Sequence, residues 1–338
     1  MPITVWGAGA IGGITGGALI RAGHDVLLVD SNAEHVAALN MAGLTVDDVH
    51  GDWHVPVRAA LPSQVAGPLD LVLLAVKSLA TPQAIEQMMP HLGSGSTVVS
   101  LQNGLNEEVL AERIGPQRTV GCLVNWASDW IAPGRIQFGG DGSFRLGELD
   151  GRPTPRVHAL AALLGAVMPT AVTENIWGYL WAKICYASLL FARALTDATV
   201  YEVVESAYPI QRMLALLVAE EMRVADAVGI RLEAFDEYDP AVYRAAAVGD
   251  ANAIAQAMAM VSQFYRKHTK VKTGIWRDLA VRKRKTEVDG QIGQVAARGA
   301  QYGIATPLTD RLVAMIHELE DGVRPMAWEN LDELVALA

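Results

Sequence analysis

The 338-residue chain has little cysteine, no excess of positive charge and no long uncharged apolar run. Two cysteines that form no close pair, Cys122 and Cys185, fit a reducing cytoplasm. The net charge of −10 argues against a general nucleic-acid binder, because phosphate backbones attract the opposite sign. The longest apolar stretch, 184–192, is about half of what a bilayer requires. With a strand predicted almost at Met1 and no signal peptide expected, we expect a cytoplasmic protein without a membrane or nucleic-acid partner. No metal site is predicted.

The first thirty residues carry the strongest pattern. Residues 3–6 predict a short strand that leads directly into Gly7-Ala8-Gly9-Ala10-Ile11-Gly12 and an apolar helix. In a dinucleotide-binding turn the first glycine permits the tight turn, the second admits the pyrophosphate, and the third allows close packing of helix on strand. The helix N-terminus offers N–H groups to the phosphates. The alternative is a glycine-rich turn that binds nothing.

An acidic residue indicates which dinucleotide is bound. Asp30 follows a second predicted strand over 26–29, where a carboxylate can accept hydrogen bonds from the adenosine ribose. The same charge would repel a 2′-phosphate, and residues 31–35 contain no arginine or lysine. The sequence therefore favours NAD over NADP. If Asp30 merely caps a loop, the preference stays open.

The pattern of elements changes near the middle of the chain. The first half alternates strands and helices, with a helix over 33–42, short β segments at 44–46 and 55–57, and buried strands over 69–76 and 96–101. Such alternation predicts an α/β, doubly wound Rossmann-type sheet, with ligands beyond the carboxyl ends of its strands. Short β segments in 119–147 are expected to complete its far edge, and 170–173 is a last strand. We predict a nucleotide-binding domain over 1–175 and an all-helical substrate domain over 176–338.

A lysine in the helical half is the candidate proton donor. Lys183 follows Trp177, Tyr179 and Trp181 on an apolar helix. Desolvation lowers the pKa of such an ammonium, which suits an acid–base catalyst of hydride-transfer chemistry. The alternative is a lysine that extends its head to water along an apolar face, and the residues alone do not choose between the two.

Taken in order, these motifs resemble the ketopantoate reductase (2-dehydropantoate 2-reductase) family over nearly the whole chain. The markers are the glycine motif, Val76-Lys77-Ser78, Gln102-Asn103-Gly104, Trp181-Ala182-Lys183, Arg277-Asp278, Lys285-Thr286-Glu287-Val288-Asp289 and Gly303-Ile304-Ala305-Thr306-Pro307. The resemblance implies that Lys183 protonates the substrate carbonyl. It also implies that Asn103 and Gly104 lie beside the nicotinamide ribose. Lys77 would lie near cofactor and substrate, and Glu287 would reach the ribose or nicotinamide. An ion pair with a cation on its own helix is the alternative for Glu287.

The departures from the family pattern concern the substrate. The family typically has asparagines four and eight residues after the catalytic lysine, where this chain has Ala187 and Phe191. Thr273 or Gly274 falls where the family has a serine that holds the substrate carboxylate, and the spacing to Glu287 is one residue longer. These changes imply a substrate with a bulkier or more apolar group than ketopantoate. In these features the chain resembles the family's NAD-dependent D-2-hydroxyacid dehydrogenases, including mandelate-type enzymes.

Other polar and aromatic residues are secondary candidates. Four basic residues are candidates to bind the substrate carboxylate: Lys270, Lys272, Arg277 and His268. Three tryptophans are candidates to line an apolar pocket, although core packing is the more common role: Trp126, Trp130 and Trp276. The run Arg282-Lys283-Arg284-Lys285 is interpreted as a solvated helix face or a steering charge, not as an RNA site.

Three functions follow from the sequence. The leading hypothesis is an NAD(H)-dependent reductase that interconverts a 2-keto acid and a D-2-hydroxy acid. The alternatives are a genuine 2-dehydropantoate 2-reductase of pantothenate biosynthesis and a non-catalytic NAD(P)H-binding protein. Long apolar helices such as 213–228 lead us to expect a homodimer.

Overall fold

The computed structural model describes residues 2–267 and 272–338. His268 and Lys270, named above as candidates, lie outside the described residues. The chain forms two compact units, Met1–Ile176 and Trp177–Ala338. The first combines a mixed, mostly parallel sheet with helices and the second is all-helical, so the predicted fold class is confirmed.

One sheet organises the first unit. In the described part of this unit the ten strands are β1 (Ile3–Trp6), β2 (Val26–Val29), β3 (Leu44–Asp48), β4 (Trp53–Val55), β5 (Arg58–Ala60), β6 (Leu69–Leu74), β7 (Leu92–Ser100), β8 (Thr119–Ala132), β9 (Arg135–Glu148) and β10 (Thr170–Val172). Their order is β4-β3-β9-β8-β7-β6-β1-β2-β5, with β10 paired to β9. The run from β8 through β7, β6, β1 and β2 to β5 is parallel, and the β8–β9 and β3–β4 pairs are antiparallel. Parallel neighbours bring their carboxyl ends to one edge.

The described residues of this unit also form the helices α1 (Ala10–Arg21), α2 (Ala33–Ala42), α3 (Thr81–Met88), α4 (Asn106–Ile114) and α5 (Pro155–Leu164). Local signals set the bounds of α2. The Asn32 side chain accepts a hydrogen bond from the backbone N–H of His35 at its start, and Gly43 ends it with a φ of +77°. The predicted helix over 33–42 therefore appears with the expected bounds.

Glycines let α1 lie unusually close to the sheet. A Cβ atom at Gly13 would lie 2.2 Å from Ile136 Cδ1, one at Gly16 2.4 Å from Leu28 Cδ2, and one at Gly17 2.8 Å from Leu44 Cδ2. Larger side chains at these positions would overpack the core or push the helix away. The close approach of α1 fixes the position of the helix N-terminus that follows the glycine motif.

The far side of the sheet differs from the prediction. Residues 119–147 were expected to form short segments at the edge, but β8 and β9 are each 14 residues long and lie inside the sheet. Irregular register between Asn125 and Ala132 interrupts the two-residue alternation that reveals a half-buried strand. The edge strands of the order are β4 and β5 instead.

The second unit contains helices, one of which, α6, begins at the last residue of the first unit. They are α6 (Ile176–Arg193), α7 (Val200–Val204), α8 (Tyr208–Val228), α9 (Pro240–Ala247), α10 (Ala251–Arg266), α11 (Gly274–Ala280), α12 (Ile292–Tyr302), α13 (Pro307–Glu320) and α14 (Glu329–Val335). The apolar residues of α8, including Met213, Leu217 and Met222, are buried within the chain itself. They form core, so the apolar surface that suggested a dimer interface on α8 is already covered. Among the described helices none is both long and apolar enough to cross a bilayer.

Candidate active site

Adjacent strands bring the predicted cofactor residues to one edge of the sheet. In the order β7-β6-β1-β2, Asn103 and Gly104 follow β7, Lys77 follows β6, the glycine motif follows β1 and Asp30 follows β2. Backbone hydrogen bonds continue beyond the strands, from Ala75 N to Trp6 O at 2.8 Å and from Gly7 N to Val29 O at 2.7 Å. The first unit therefore assembles these residues side by side.

The glycine turn has the geometry that a bound pyrophosphate requires. Gly7 has a φ of +100°, and a Cβ there would lie 2.7 Å from Val76 N. A Cβ on Gly12 would lie 1.9 Å from Gly7 O, so the third glycine permits the contact of helix and turn. Apart from Gly9 and its two chain neighbours, no heavy atom of the described residues lies within 4 Å of a Cβ built on Gly9. Gly9, Ala10 and Ile11 are partly exposed while Ala8 is buried. The open side of the turn, where α1 begins, thus fits a dinucleotide phosphate.

Asp30 is partly exposed and contributes to a local turn. Its Oδ1 accepts a hydrogen bond from Asn32 N at 2.9 Å, and its own N–H donates to Ala60 O at 3.1 Å. The contact with Asn32 N is the kind of loop cap that was named above as the alternative role of Asp30. A carboxylate has acceptor sites on both oxygens, so this contact leaves acceptor capacity for a ribose hydroxyl.

A buried polar network joins the two loops that carry Lys77 and Asn103. Gln102 Nε2 donates to Val76 O at 2.8 Å and to Thr81 Oγ1 at 2.7 Å. Thr81 Oγ1 donates to Asn106 Oδ1 at 2.8 Å, and Asn106 Nδ2 donates to Asn103 O at 2.7 Å. The Lys77 and Asn103 side chains are exposed. Sequence reasoning recognised Gln102 as part of a motif but did not foresee the network, since nothing local links the residues.

A second feature that the sequence did not reveal is Glu107, in the first turn of α4. Its side chain is completely buried. It packs against Gly121 on β8, where a Cβ would lie 3.5 Å from Glu107 Cγ, an ordinary van der Waals distance. Burial raises the pKa of the Glu107 carboxyl to about 8, so the group is mostly protonated at neutral pH. The first unit therefore holds a neutral carboxylic acid in the first turn of α4.

We expect Glu107→Gln to increase the free energy of unfolding at pH 7 by about 3 kcal/mol. The folded protein binds this proton more tightly than the unfolded chain, because the pKa rises from 4.5 to about 8 on folding. The free energy of unfolding should therefore fall as pH rises between these values, and the neutral glutamine should remove that fall. Urea unfolding between pH 5 and pH 8 measures it. The exposed neighbour Glu108→Gln is the control, and parallel pH dependence in wild type and Glu107→Gln would refute the assignment.

In the helical unit, Lys183 lies on α6 and is partly exposed. Its neighbours along the helix are not, because Trp181, Ala187 and Phe191 are 1%, 6% and 0% exposed. Ala187 and Phe191 follow Lys183 by four and eight residues, so all three lie toward one side of the helix. Both apolar residues take part in the packing of this unit, and their contact with substrate stays a prediction.

Thr273, the candidate carboxylate ligand, caps a helix. Its Oγ1 accepts a hydrogen bond from Trp276 N at 3.2 Å and one from Arg193 Nη1 at 3.4 Å. Arg193, in the last turn of α6, is completely buried and also donates to Ala198 O. Burial lowers its pKa to about 10. The hydroxyl hydrogen of Thr273 is still able to donate to a carboxylate. The sequence did not single out Arg193, since a basic residue in a last helical turn is common.

Lys272 and most of the basic run over 282–285 form ion pairs inside this unit. Lys272 Nζ lies 2.6 Å from Asp197 Oδ1 and 4.0 Å from the centre of the Trp276 ring. The run 282–285 was expected on a helix, but α11 ends at Ala280 and the run is irregular. Three of its four residues pair with acidic residues: Arg282 and Arg284 with Asp278 at 3.2 and 2.9 Å, and Lys285 with Asp321 at 3.0 Å. Most of the basic side chains of this run therefore form local ion pairs and do not lie on the surface of a helix.

Glu287 is buried, at 7% exposure, in the irregular segment between α11 and α12. The expected helix around it is absent from this described segment. Both interpretations of Glu287, contact with the cofactor and an ion pair with a nearby cation, stay predictions. The preceding residue anchors the segment, because Thr286 N and Thr286 Oγ1 each donate to Glu320 Oε1 at 2.7 Å. This anchoring fixes the backbone beside Glu287.

Two of the predicted pocket tryptophans belong to the first unit and pack there. The Trp126 ring lies 5.9 Å from that of Phe138 and 6.1 Å from that of Phe144. Trp130 contacts His35 edge to face at 6.0 Å between ring centres. Core packing is thus their observed role.

Comparison with known proteins identifies the family. Residues 3–151 match the model described as "Ketopantoate reductase PanE/ApbA", and residues 175–320 match the corresponding C-terminal model. A 2-dehydropantoate 2-reductase of Mesorhizobium japonicum is 29% identical, over 94% of this chain and 98% of its own. One from Pyrococcus abyssi is 36% identical over 54% of this chain and 60% of its own.

Solved structures with the same fold cover nearly the whole chain. A PanE/ApbA family ketopantoate reductase from Ralstonia eutropha has a TM-score of 0.80 at 28% identity, covering 95% of this chain and 99% of its own. D-mandelate dehydrogenase in complex with NADH and anilino(oxo)acetate has a TM-score of 0.81 at 23% identity, covering 96% and 99%.

The fold and the glycine turn define a dinucleotide-dependent oxidoreductase with a separate helical unit. The chain belongs to the ketopantoate reductase family, and is an NAD(P)-dependent reductase acting on 2-keto acids.

Proposed function

We propose that this protein interconverts a 2-keto acid and a D-2-hydroxy acid with NAD(H), and that Lys183 is its general acid and base. The observation that carries the proposal is the environment of Lys183. Its side chain is partly exposed on a helix whose neighbouring residues are buried and apolar. An ammonium at such a position is partly desolvated, which favours proton transfer.

In the proposed reaction the cofactor transfers the hydride and the Lys183 side chain transfers the proton. Bound NADH would supply the hydride that C2 of the keto acid accepts. Lys183 Nζ would donate a proton to the carbonyl oxygen, so that a neutral alcohol forms and the amine is left unprotonated. In the direction of oxidation Lys183 would take the hydroxyl proton back.

The residues proposed to hold the cofactor come mostly from the first unit, which we interpret as the nucleotide-binding domain, 1–175, with 176–338 as the substrate domain. The glycine turn would bind the pyrophosphate, and Asp30 would bind the adenosine ribose. A further set would contact the nicotinamide side: Lys77, Asn103, Gly104 and Glu287. The carboxylate of Asp30 and the lack of basic residues at 31–35 support NAD over NADP.

The substrate is proposed to be more apolar than ketopantoate. Ala187 and Phe191 stand where the family typically has asparagines, so this side of α6 has no amide to bind a polar group of the substrate. The hydroxyl of Thr273 would bind the carboxylate, and Lys77 and Asn103 would contact the substrate beside the cofactor. The fold shared with D-mandelate dehydrogenase, which was solved with NADH and anilino(oxo)acetate, is compatible with an aromatic substituent.

Steady-state assays of NADH and NADPH oxidation with a panel of 2-keto acids test this proposal. We expect keto acids with a branched or aromatic substituent to give a kcat/KM at least about tenfold above that of ketopantoate, since an apolar pocket favours an apolar substituent by a few kcal/mol at most. A preference for ketopantoate would overturn the substrate assignment.

A genuine 2-dehydropantoate 2-reductase is the second candidate, and its support is the full-length similarity to the Mesorhizobium japonicum enzyme. Complementation of a pantothenate auxotroph would favour it over the leading proposal. A non-catalytic NAD(P)H-binding protein is disfavoured by the presence of both Lys183 and Glu287, and tight NADH binding without oxidation by any keto acid would revive it. The homodimer is a further proposal, which light scattering tests and which would require surfaces other than the buried side of α8.

A further inference from the structure

A buried histidine connects three segments of the nucleotide-binding unit. His35 lies in the first turn of α2 and is 1% exposed. Its Nε2 lies 2.9 Å from Ala8 O, in the middle of the glycine turn. Its Nδ1 lies 3.0 Å from Gly134 N and 3.4 Å from Trp130 Nε1, both on the β8–β9 hairpin.

The partners of His35 define its tautomer. The Gly134 N–H and the Trp130 indole N–H are both donors, so Nδ1 must accept. The hydrogen therefore resides on Nε2 and is donated to the carbonyl of Ala8. If a substitution removes Nε2, Ala8 O loses its partner, and if it removes Nδ1, the Gly134 N–H loses its partner. Leaving such a buried group unpaired lowers the stability of the protein by more than the hydrogen bond itself contributes.

The same residue also connects to the segment that carries Asp30. The backbone N–H of His35 donates to Asn32 Oδ1 at 3.1 Å, and Asn32 N donates to Asp30 Oδ1 at 2.9 Å. One residue thus ties the glycine turn to the carboxylate that follows β2. These two elements would contact different parts of one dinucleotide, the pyrophosphate and the adenosine ribose.

We propose that His35 is a positioning residue for the dinucleotide. By binding Ala8 O it holds the glycine turn at a fixed distance from Asp30, so that both are in place before the cofactor binds. Preorganisation of this kind raises affinity by lowering the ordering cost of binding. The proposal rests on NAD(P) binding, which membership of the family establishes, and is independent of Lys183 and of the substrate.

The test compares His35→Leu with a matched core variant, Leu39→Ala. Leu39 lies one turn further along α2 and is completely buried. We expect His35→Leu to weaken NADH binding at least about tenfold by calorimetry, and Leu39→Ala to leave it within about twofold, even where both lower the melting temperature. At saturating NADH and substrate the kcat of His35→Leu should stay close to that of wild type. His35→Gln should bind NADH with intermediate affinity, because its amide nitrogen can replace the donor to Ala8 O.

A measurement on the wild-type protein keeps the proposal testable if His35→Leu does not fold. In long-range ¹H–¹⁵N spectra, Nδ1 of His35 should have the shift of an unprotonated nitrogen, and the Nε2–H signal should move when NADH binds. Equal NADH affinity of His35→Leu and Leu39→Ala would overturn the proposal. A spectrum that shows the hydrogen on Nδ1 of His35 would also overturn it, as would an Nε2–H signal whose shift does not change when NADH is added.

Discussion

Replacement of Lys183 by alanine is expected to lower kcat by about 10²- to 10⁴-fold, the contribution usual for a positioned general acid. Without the ammonium, the oxygen of the keto group would develop negative charge with only water to protonate it. The affinity for NADH should change little, because the ammonium acts on the substrate oxygen. Stopped-flow measurement of NADH oxidation, with NADH binding measured separately by fluorescence, distinguishes the two effects.

Two further lysine variants complete this experiment. Lys183→Arg keeps the positive charge but holds its proton too firmly to donate it, so we expect most of the loss to remain. Lys283→Ala removes an exposed lysine of the same unit and should leave kcat unchanged. A fall of less than about tenfold in Lys183→Ala, equivalent to 1.4 kcal/mol, would remove Lys183 from the role of acid.

Replacement of Asp30 by asparagine is expected to shift the ratio of kcat/KM for NADH over NADPH toward NADPH by about 10- to 100-fold. The carboxylate should accept hydrogen bonds from the ribose hydroxyls of NADH and repel the 2′-phosphate of NADPH. Asparagine keeps an oxygen that can accept from Asn32 N, as Asp30 Oδ1 does at 2.9 Å, so the turn should persist. Parallel assays with both cofactors on one substrate give the ratio.

The same strand offers a control for this variant. Asp25 precedes the four-residue strand β2 and Asp30 follows it, so the two carboxylates lie at opposite ends of this strand. Asp25→Asn removes an equal charge and should leave the ratio unchanged. If both variants shift the ratio alike, general electrostatics rather than a ribose contact would explain it.

Local signals were sufficient to predict the elements that we propose to position the cofactor. The strand before Gly7, the strand before Asp30 and the helix over 33–42 depend on short apolar runs, a cap at Asn32 and a stop at Gly43, and all appear as predicted. The β8–β9 hairpin was misjudged, because its irregular register hides the alternation of a long strand. The expected helix over 282–285 was wrong, since α11 ends at Ala280 and Lys283 has a φ of +50°, which a right-handed helix does not contain.

In the candidate site, the sequence predicted residues that follow strands and missed residues that act through tertiary contacts. Lys77 and Asn103 could be predicted because parallel strands end at one edge. Gln102, Glu107 and His35 could not, since their roles depend on groups distant in the chain; His35 and Ala8, for example, are 27 positions apart. No periodicity within a helix or strand encodes such distances.

Analysis of the product formed from NADH and a 2-keto acid with an aromatic substituent tests the central claim most directly. Chiral chromatography, run beside the absorbance of NADH, should show one D-2-hydroxy acid produced for each NADH consumed, and no product with Lys183→Ala on the same timescale. Formation of the L-enantiomer, or consumption of NADH without a hydroxy acid, would contradict the claim.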